Sequence, residues 1–261
     1  MTAPRHALRS WKEIASACRH AAHLALFTDF DGTLVRIRSH PDLVVLPERV
    51  RRLLGAMARS GVTVGVVSGR KLADLRRRVR LGHIWYVGAH GYFLLDPGNR
   101  AAALLTPTER ERMRVVRRAL TRRMSGISGV QLESKEATIA VHYRRAPARS
   151  VHRARQVIAE LLRRHPQVTP LPGKKVWSLL PGRRTDKWTA ISLILRRARR
   201  RRPGLWLAVF LGDDATDERV FQKMQGISIV VGRKQRTAAR YYLRSPSEVF
   251  QFLKRLETVR K

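Results

Sequence analysis

Apolar residues fall along this chain in two rhythms. Short unbroken runs at Leu24 to Phe27, Val62 to Val67, Trp85 to Val87, Leu205 to Leu211 and Ile227 to Val231 predict strands buried on both faces. After the first run, Pro47 opens a segment that places Val50, Leu53, Leu54 and Met57 on one face before Gly61, which predicts a helix. Strand, helix and strand within about 45 residues predict a right-handed βαβ unit and a parallel sheet. Ligands of such sheets bind beyond the carboxyl ends of the strands, so the polar residues at those ends are the ones to examine. They are Asp29-Phe30-Asp31-Gly32-Thr33, Ser68-Gly69-Arg70, Gly88-Ala89-His90-Gly91 and Gly212-Asp213-Asp214-Ala215-Thr216-Asp217.

Between residues 100 and 175 the rhythm changes. Thr106-Pro107-Thr108-Glu109 has the form of a capping box and predicts a helix with Met113, Val116, Leu120 and Met124 inward. Strands are expected at Val130 to Leu132 and Thr138 to Tyr143, and a helix from Val151 to Arg164. We expect an inserted α+β domain over 100–175, hinged at Pro97-Gly98 and Pro172-Gly173, in a core domain of residues 1–99 and 176–261. The core pattern resumes with a helix from Asp186 to Arg196. It closes with a second capping box, Ser245-Pro246-Ser247-Glu248, whose helix is expected to bury Val249, Phe250 and Leu253.

Composition adds one anomaly. With 44% hydrophobic and 28% charged residues, the 261-residue chain has a globular balance, but 54 Lys and Arg against 19 Asp and Glu give a net charge of +35. Arg exceeds Lys by roughly four to one, and a guanidinium fork suits phosphate. One reading is an anionic partner, whether nucleic acid, anionic lipid or a phosphorylated small molecule; the other is a composition bias with arginines on solvated faces. Against nucleic acid as main partner, the basic run Arg196 to Arg202 contains no aromatic on which bases could stack. The single cysteine, Cys18, excludes an internal disulfide or a multi-thiolate metal site. The first 23 residues carry no apolar run of signal-peptide length, and no stretch approaches a membrane span of about 20 apolar residues. A cytoplasmic protein without membrane contact is expected.

In so acid-poor a chain, the aspartates at two strand tips carry the information. Asp29 and Asp31 are spaced to direct their side chains to one side. Converging carboxylates repel one another unless a cation stands between them, and a hard ion such as Mg2+ takes carboxylate, carbonyl and water oxygens. Asp213, Asp214 and Asp217 supply further carboxylates to the same expected site. A carboxylate can also attack phosphorus as a nucleophile, with its neighbour acting as acid for the leaving alcohol and then as base for water. Ser68 and Lys187 would hold phosphoryl oxygens.

This ordered set resembles the haloacid dehalogenase superfamily: Phe27 to Leu34 its first motif, Val67 to Arg70 its second, Lys187 its third and Gly212 to Glu218 its fourth. Within the superfamily it resembles the trehalose-6-phosphate phosphatases, through Gly88 to Gly91, Glu133-Ser134-Lys135, His142-Tyr143-Arg144, Lys174-Lys175-Val176 before Asp186-Lys187, and Ala239 to Leu243. The resemblance implies a Rossmann-like parallel core with an inserted cap, and a Mg2+-dependent phosphatase of a sugar phosphate. It also implies roles. Asp29 would be nucleophile and Asp31 acid/base. The metal would sit on Asp29, the Asp31 carbonyl and Asp213, with Asp214 or Asp217 in support. Thr33 and Ser68 would contact phosphate, Glu133 and Lys135 the sugar or its phosphate, with His142 and Arg144 nearby. Arg70 and His90 are further candidates for the substrate's side of the site. The sequence departs from the family at Trp177-Ser178, where an acidic residue is usual, at Trp188 in place of glycine and at Ala89 in place of serine. These departures leave a related glycosyl or polyol phosphate as a second substrate.

Overall fold

The computed structural model describes residues 3–37, 44–135, 137–173, 175–182, 185–232 and 236–259, without the Lys135 side chain. The chain divides into two compact units, Met1–Ala102 with Asp186–Lys261, and Ala103–Thr185.

In chain order the first unit begins with β1 (Arg5–His6), α1 (Trp11–His20), β2 (His23–Asp29), α2 (Glu48–Arg59), β3 (Thr63–Val67), α3 (Leu72–Val79), β4 (Trp85–Gly88), β5 (Phe93–Leu95) and β6 (Ala101–Ala103). The second unit holds α4 (Pro107–Met124), β7 (Gln131–Lys135), β8 (Thr138–His142), α5 (Ala148–Arg164), β9 (Thr169–Gly173) and β10 (Val176–Leu180). The first unit then resumes with α6 (Lys187–Arg201), β11 (Trp206–Gly212), α7 (Glu218–Lys223), β12 (Gly226–Val231), β13 (Tyr241–Leu243) and α8 (Pro246–Val259).

The first unit's sheet has the order β1-β13-β12-β11-β2-β3-β4-β5-β6. It is parallel from β1 to β4, and β5 returns antiparallel to β4. The central strand, β2, therefore lies between β3, which follows it in sequence, and β11, which joins it from the far end of the chain. Such a reversal of strand order leaves a crevice at the carboxyl ends, and Asp29 is the last residue of β2. Residues of β2 alternate across the sheet: Leu24 and Leu26 enter the main core with Leu54, Met57, Phe252 and Leu253. Phe27 turns to the opposite face and fills the space above its partner in β3, Gly65, where a Cβ would stand 2.6 Å from the Phe27 ring.

In the second unit an antiparallel sheet, β7-β8-β10-β9, packs Ile139, Val141 and Leu179 against Met113, Val116 and Leu120 of α4 and Ile158 and Leu161 of α5. The α4 capping box is formed: Thr106 Oγ1 accepts from the Glu109 N–H, and Glu109 Oε2 accepts from the Thr106 N–H. Pro172-Gly173, expected as a hinge, lies inside β9, which pairs with β10. Residues 176–185, expected in the core, therefore belong with the second unit. The second expected capping box does not form as read. Glu248 accepts from the Arg244 N–H and pairs with His6; Val249 and Leu253 are buried as expected, joined by Phe252, while Phe250 is partly buried against the same core. The basic run Arg196 to Arg202 is the end of α6 and its exposed continuation.

Gly65→Ala should overpack the β2–β3 contact and cost about 1–3 kcal/mol, read as a lower urea midpoint at unchanged m-value.

Candidate active site

The site grows out of β2. Phe30 is fully buried and wedges the chain into the core between two aspartates. The chain then doubles back, the Gly32 N–H donating to the Val35 carbonyl. Gly32 has a φ of +88°, and the Asp213 carboxylate stands where its Cβ would project, 2.0 Å from Oδ2. A side chain there would be strained and would collide. Thr33 is buried and its Oγ1 donates to Asp213 Oδ1 at 3.3 Å. Asp29, Thr33 and Asp213 are thus brought together from two strand ends.

Lys187 is the first residue of α6, which is capped by Asp186 accepting from the Thr189 N–H. Its position is fixed from outside as well: Gly91, at φ +110°, lies against the Asp186 carbonyl where a Cβ would be 2.2 Å away. Lys187 is buried, and its Nζ donates to Asp29 Oδ1 at 2.6 Å and to Asp217 Oδ1 at 2.8 Å, with Asp214 at 4.0 Å. The other Asp217 oxygen accepts from the N–H groups of Asp213 and Asp214. Asp217 is fully buried with both oxygens engaged. It holds the loop and the lysine and is not placed as a metal ligand, contrary to the expectation from sequence.

The charges here are unequally matched. Burial pushes Asp29 well above the usual carboxylate range, and the neighbouring Asp217, Asp213 and Asp214 push the same way against Lys187. Burial would lower Lys187, but Asp217, Asp29 and Asp214 outweigh it and hold the ammonium well above its ordinary pKa. For Asp214, burial acts upward and is outweighed by Lys187 and by the Thr216 hydrogen bonds, which leave it at about 2. One ammonium thus faces three carboxylates, Asp29, Asp217 and Asp214, with Asp213 adding its charge beside Asp29.

Asp31 lies outside this group. Both its oxygens accept from Arg70, from Nε at 2.6 Å and Nη2 at 2.7 Å. Ser68 directly follows β3, and its buried Oγ accepts from the Arg70 N–H. His90 adopts a left-handed backbone at φ 59°, donates its N–H to the Ser68 carbonyl and lays its ring against Gly69. Ser68, Arg70 and His90 therefore form one packed turn.

In the second unit, Glu133 and His142 lie on neighbouring strands β7 and β8, with His142 Nε2 2.9 Å from Glu133 Oε2. Arg144 is exposed beyond β8. The side chain of Lys135, like Lys174, lies outside the described residues. Sequence reasoning missed Asp74, which binds Arg70, Arg77 and Arg78. The signal was present, since Asp74 stands four residues from both Arg70 and Arg78.

The metal set expected from sequence is Asp29, the Asp31 carbonyl and Asp213, with Asp214 or Asp217 in support, and the described side chains do not stand as a ready-made cage for it. Among the described residues no group of three or more His, Cys, Asp or Glu side chains stands ready to hold an ion. Lys187 and Arg70 account for this, because they occupy Asp217 and Asp31. The donors left over suit Mg2+, which is held by one or two carboxylates together with water and substrate phosphate. Asp29 keeps one oxygen outside its Lys187 bond, and Asp213 is exposed to an intermediate degree beside it.

Crossed by β2 at a reversal of strand order, with acidic loops at its carboxyl edge, the sheet of the first unit is that of the haloacid dehalogenase-like hydrolases. The chain superposes on a haloacid dehalogenase-like hydrolase from Bacteroides thetaiotaomicron with a TM-score of 0.66, at 15% identity over 89% of this chain and 99% of that one. The trehalose-phosphatase family model matches residues 27–247, so the chain belongs to that family of phosphoric monoester hydrolases. It is 28% identical over 264 residues to trehalose-phosphate phosphatase B of Arabidopsis thaliana, covering 96% of this chain and 70% of the relative. The C-terminal domain of C. albicans trehalose-6-phosphate phosphatase matches with a TM-score of 0.80 at 19% identity, over 98% of each chain.

Asp217→Asn should leave the Lys187 ammonium and two amides facing a neutral group. We expect a loss of about 3–5 kcal/mol, measured by equilibrium denaturation, because removing one partner of a buried pair strands the other.

Proposed function

We propose that the protein is a Mg2+-dependent phosphatase that converts trehalose 6-phosphate to trehalose and phosphate through an aspartyl-phosphate on Asp29. The observation that carries this reading is the buried Asp29 carboxylate at the tip of β2, one oxygen fixed by Lys187 at 2.6 Å, with Asp31 two residues on. Family membership supports a sugar phosphate as substrate, and the names of the relatives support trehalose 6-phosphate.

Fixing one oxygen of Asp29 aims the other. That oxygen attacks phosphorus as the bond from phosphorus to the sugar oxygen breaks, and Asp31 gives its proton to the departing alkoxide. Both Asp31 oxygens accept from Arg70, so carrying that proton requires Arg70 to release one of them. Water then attacks the acyl phosphate, loses a proton to Asp31, and phosphate leaves as Asp29 is restored. Lys187 stays charged throughout and balances the phosphoryl oxygens, while Thr33 and Ser68 provide hydroxyls at the same edge. Asp29, Asp213 and the Asp31 carbonyl are the residues that would hold Mg2+, which when bound supplies positive charge to the phosphoryl group. In the second unit, Glu133, Lys135, His142 and Arg144 are proposed as contacts to the sugar.

Purified protein should release phosphate from trehalose 6-phosphate with Mg2+, and EDTA should abolish the release. Asp29→Asn should lower kcat by at least about 10³-fold, since it removes the nucleophile. Full activity in that variant would overturn the assignment. In a panel of sugar phosphates, a glycosyl or polyol phosphate preferred to trehalose 6-phosphate would transfer the mechanism to that substrate.

A further inference from the structure

Asp31 and Arg70 do not stand alone. The Arg70 guanidinium is held on two edges at once, by Asp31 on Nε and Nη2 and by Asp74 on Nη1 at 3.0 Å. It also lies over the Phe30 ring, 5.6 Å from its centroid. Asp74 sits in the first turn of α3 and is itself anchored from beneath by Arg78. Arg78 is buried, with a side-chain exposure of only 5%, and donates to Asp74 Oδ2 at 2.7 Å and to the Val44 carbonyl at 2.7 Å. Arg77 adds a third contact to Asp74 from solvent. Burial of Asp74 acts to raise its pKa, but the hydrogen bonds from Arg78, Arg77 and Arg70 outweigh it and hold the group below the usual carboxylate range.

We propose that Asp74 is a positioning residue for the hydrolysis: braced by Arg78, it fixes the Arg70 fork so that Asp31 meets the leaving-group oxygen in one orientation. The inference rests on the reading of Asp31 as the acid/base. A guanidinium is planar, so pinning its Nη1 edge sets the plane of the Nε–Nη2 edge that grips Asp31. Without Asp74 that plane is free to turn about the last side-chain bonds of Arg70. Asp31 then loses alignment while its charge partner remains. Misplacing a reacting group by about 1 Å can cost about 10²-fold.

The consequence is selective. A sugar alkoxide leaves only with a proton, whereas p-nitrophenolate leaves readily without one. An aligned acid therefore matters to trehalose 6-phosphate far more than to p-nitrophenyl phosphate. Nucleophilic attack by Asp29, which both substrates share, does not involve Asp74.

The test compares kcat/KM, which reports formation of the phosphoenzyme, for both substrates in wild type, Asp74→Asn, Asp74→Glu and Arg78→Lys. We expect Asp74→Asn to lose roughly tenfold or more on trehalose 6-phosphate, with less than about a threefold change on p-nitrophenyl phosphate. Asp74→Glu should recover most of the loss. Arg78→Lys keeps a charge beside Asp74 but cannot grip Asp74 and the Val44 carbonyl in one plane, so it should show the same selectivity whether or not Asp74→Asn folds. Equal losses on both substrates, or no loss on either, would overturn the positioning role. A wild type releasing phosphate from neither substrate would overturn the proposed function itself, and this role with it; a wild type active on both that loses all activity in Asp29→Asn isolates the question to Asp74.

Discussion

The first unit's site depends on one buried ammonium. Lys187 Nζ joins Asp29 at the end of β2, Asp217 after β11 and the start of α6, three places far apart in the chain. Burying an ion pair is a poor route to stability, because desolvating both partners consumes most of the attraction. The gain is in geometry. Asp217 uses its second oxygen to gather the N–H groups of Asp213 and Asp214, so a single side chain orients the lysine and shapes the acidic loop together. Gly32 and Gly91 then serve this arrangement by letting backbone approach where a Cβ would collide with Asp213 or with the Asp186 carbonyl.

Much of the parallel core was legible because its strands are apolar on both faces and end in polar residues. Leu24 to Phe27 extends only to His23–Asp29, and Val62 to Val67 shortens by one residue at its start. The missed elements lacked that signal. Helix α1 buries only Ile14, Ala15 and Cys18, and α3 buries Leu75 and Val79 together with an arginine. No periodicity counts Arg78 as a core residue; its burial is made possible by Asp74 and the Val44 carbonyl. Strands β1 and β13 have two and three residues, too short to stand out before their pairing is known.

The site divides in the same way. The aspartates at the strand tips could be read from their rarity, but not which of them face a metal and which face a cation. Arg70 meets Asp31 across 39 positions and Lys187 meets Asp217 across 30, contacts that only the folded chain creates. These pairings removed Asp217 from the metal set. They also show that the arginine excess is not uniform in meaning. Arg70 and Arg78 are built into the structure, whereas the run at the end of α6 is exposed.

Two carboxylates two residues apart need different environments if they are to do different chemistry. Here the difference arises where the chain leaves β2 just after Asp29. Phe30 turns into the core, Asp29 stays buried with an ammonium, and Asp31 emerges with its side chain about one-third exposed beneath a guanidinium. An ammonium fixes one oxygen as a point charge and leaves the other directed outward, as a nucleophile requires. A guanidinium grips both oxygens in its plane, a hold that has to open before the carboxyl can carry a proton. The choice of lysine for one aspartate and arginine for the other therefore separates the two roles, and exchanging the cations would not preserve them.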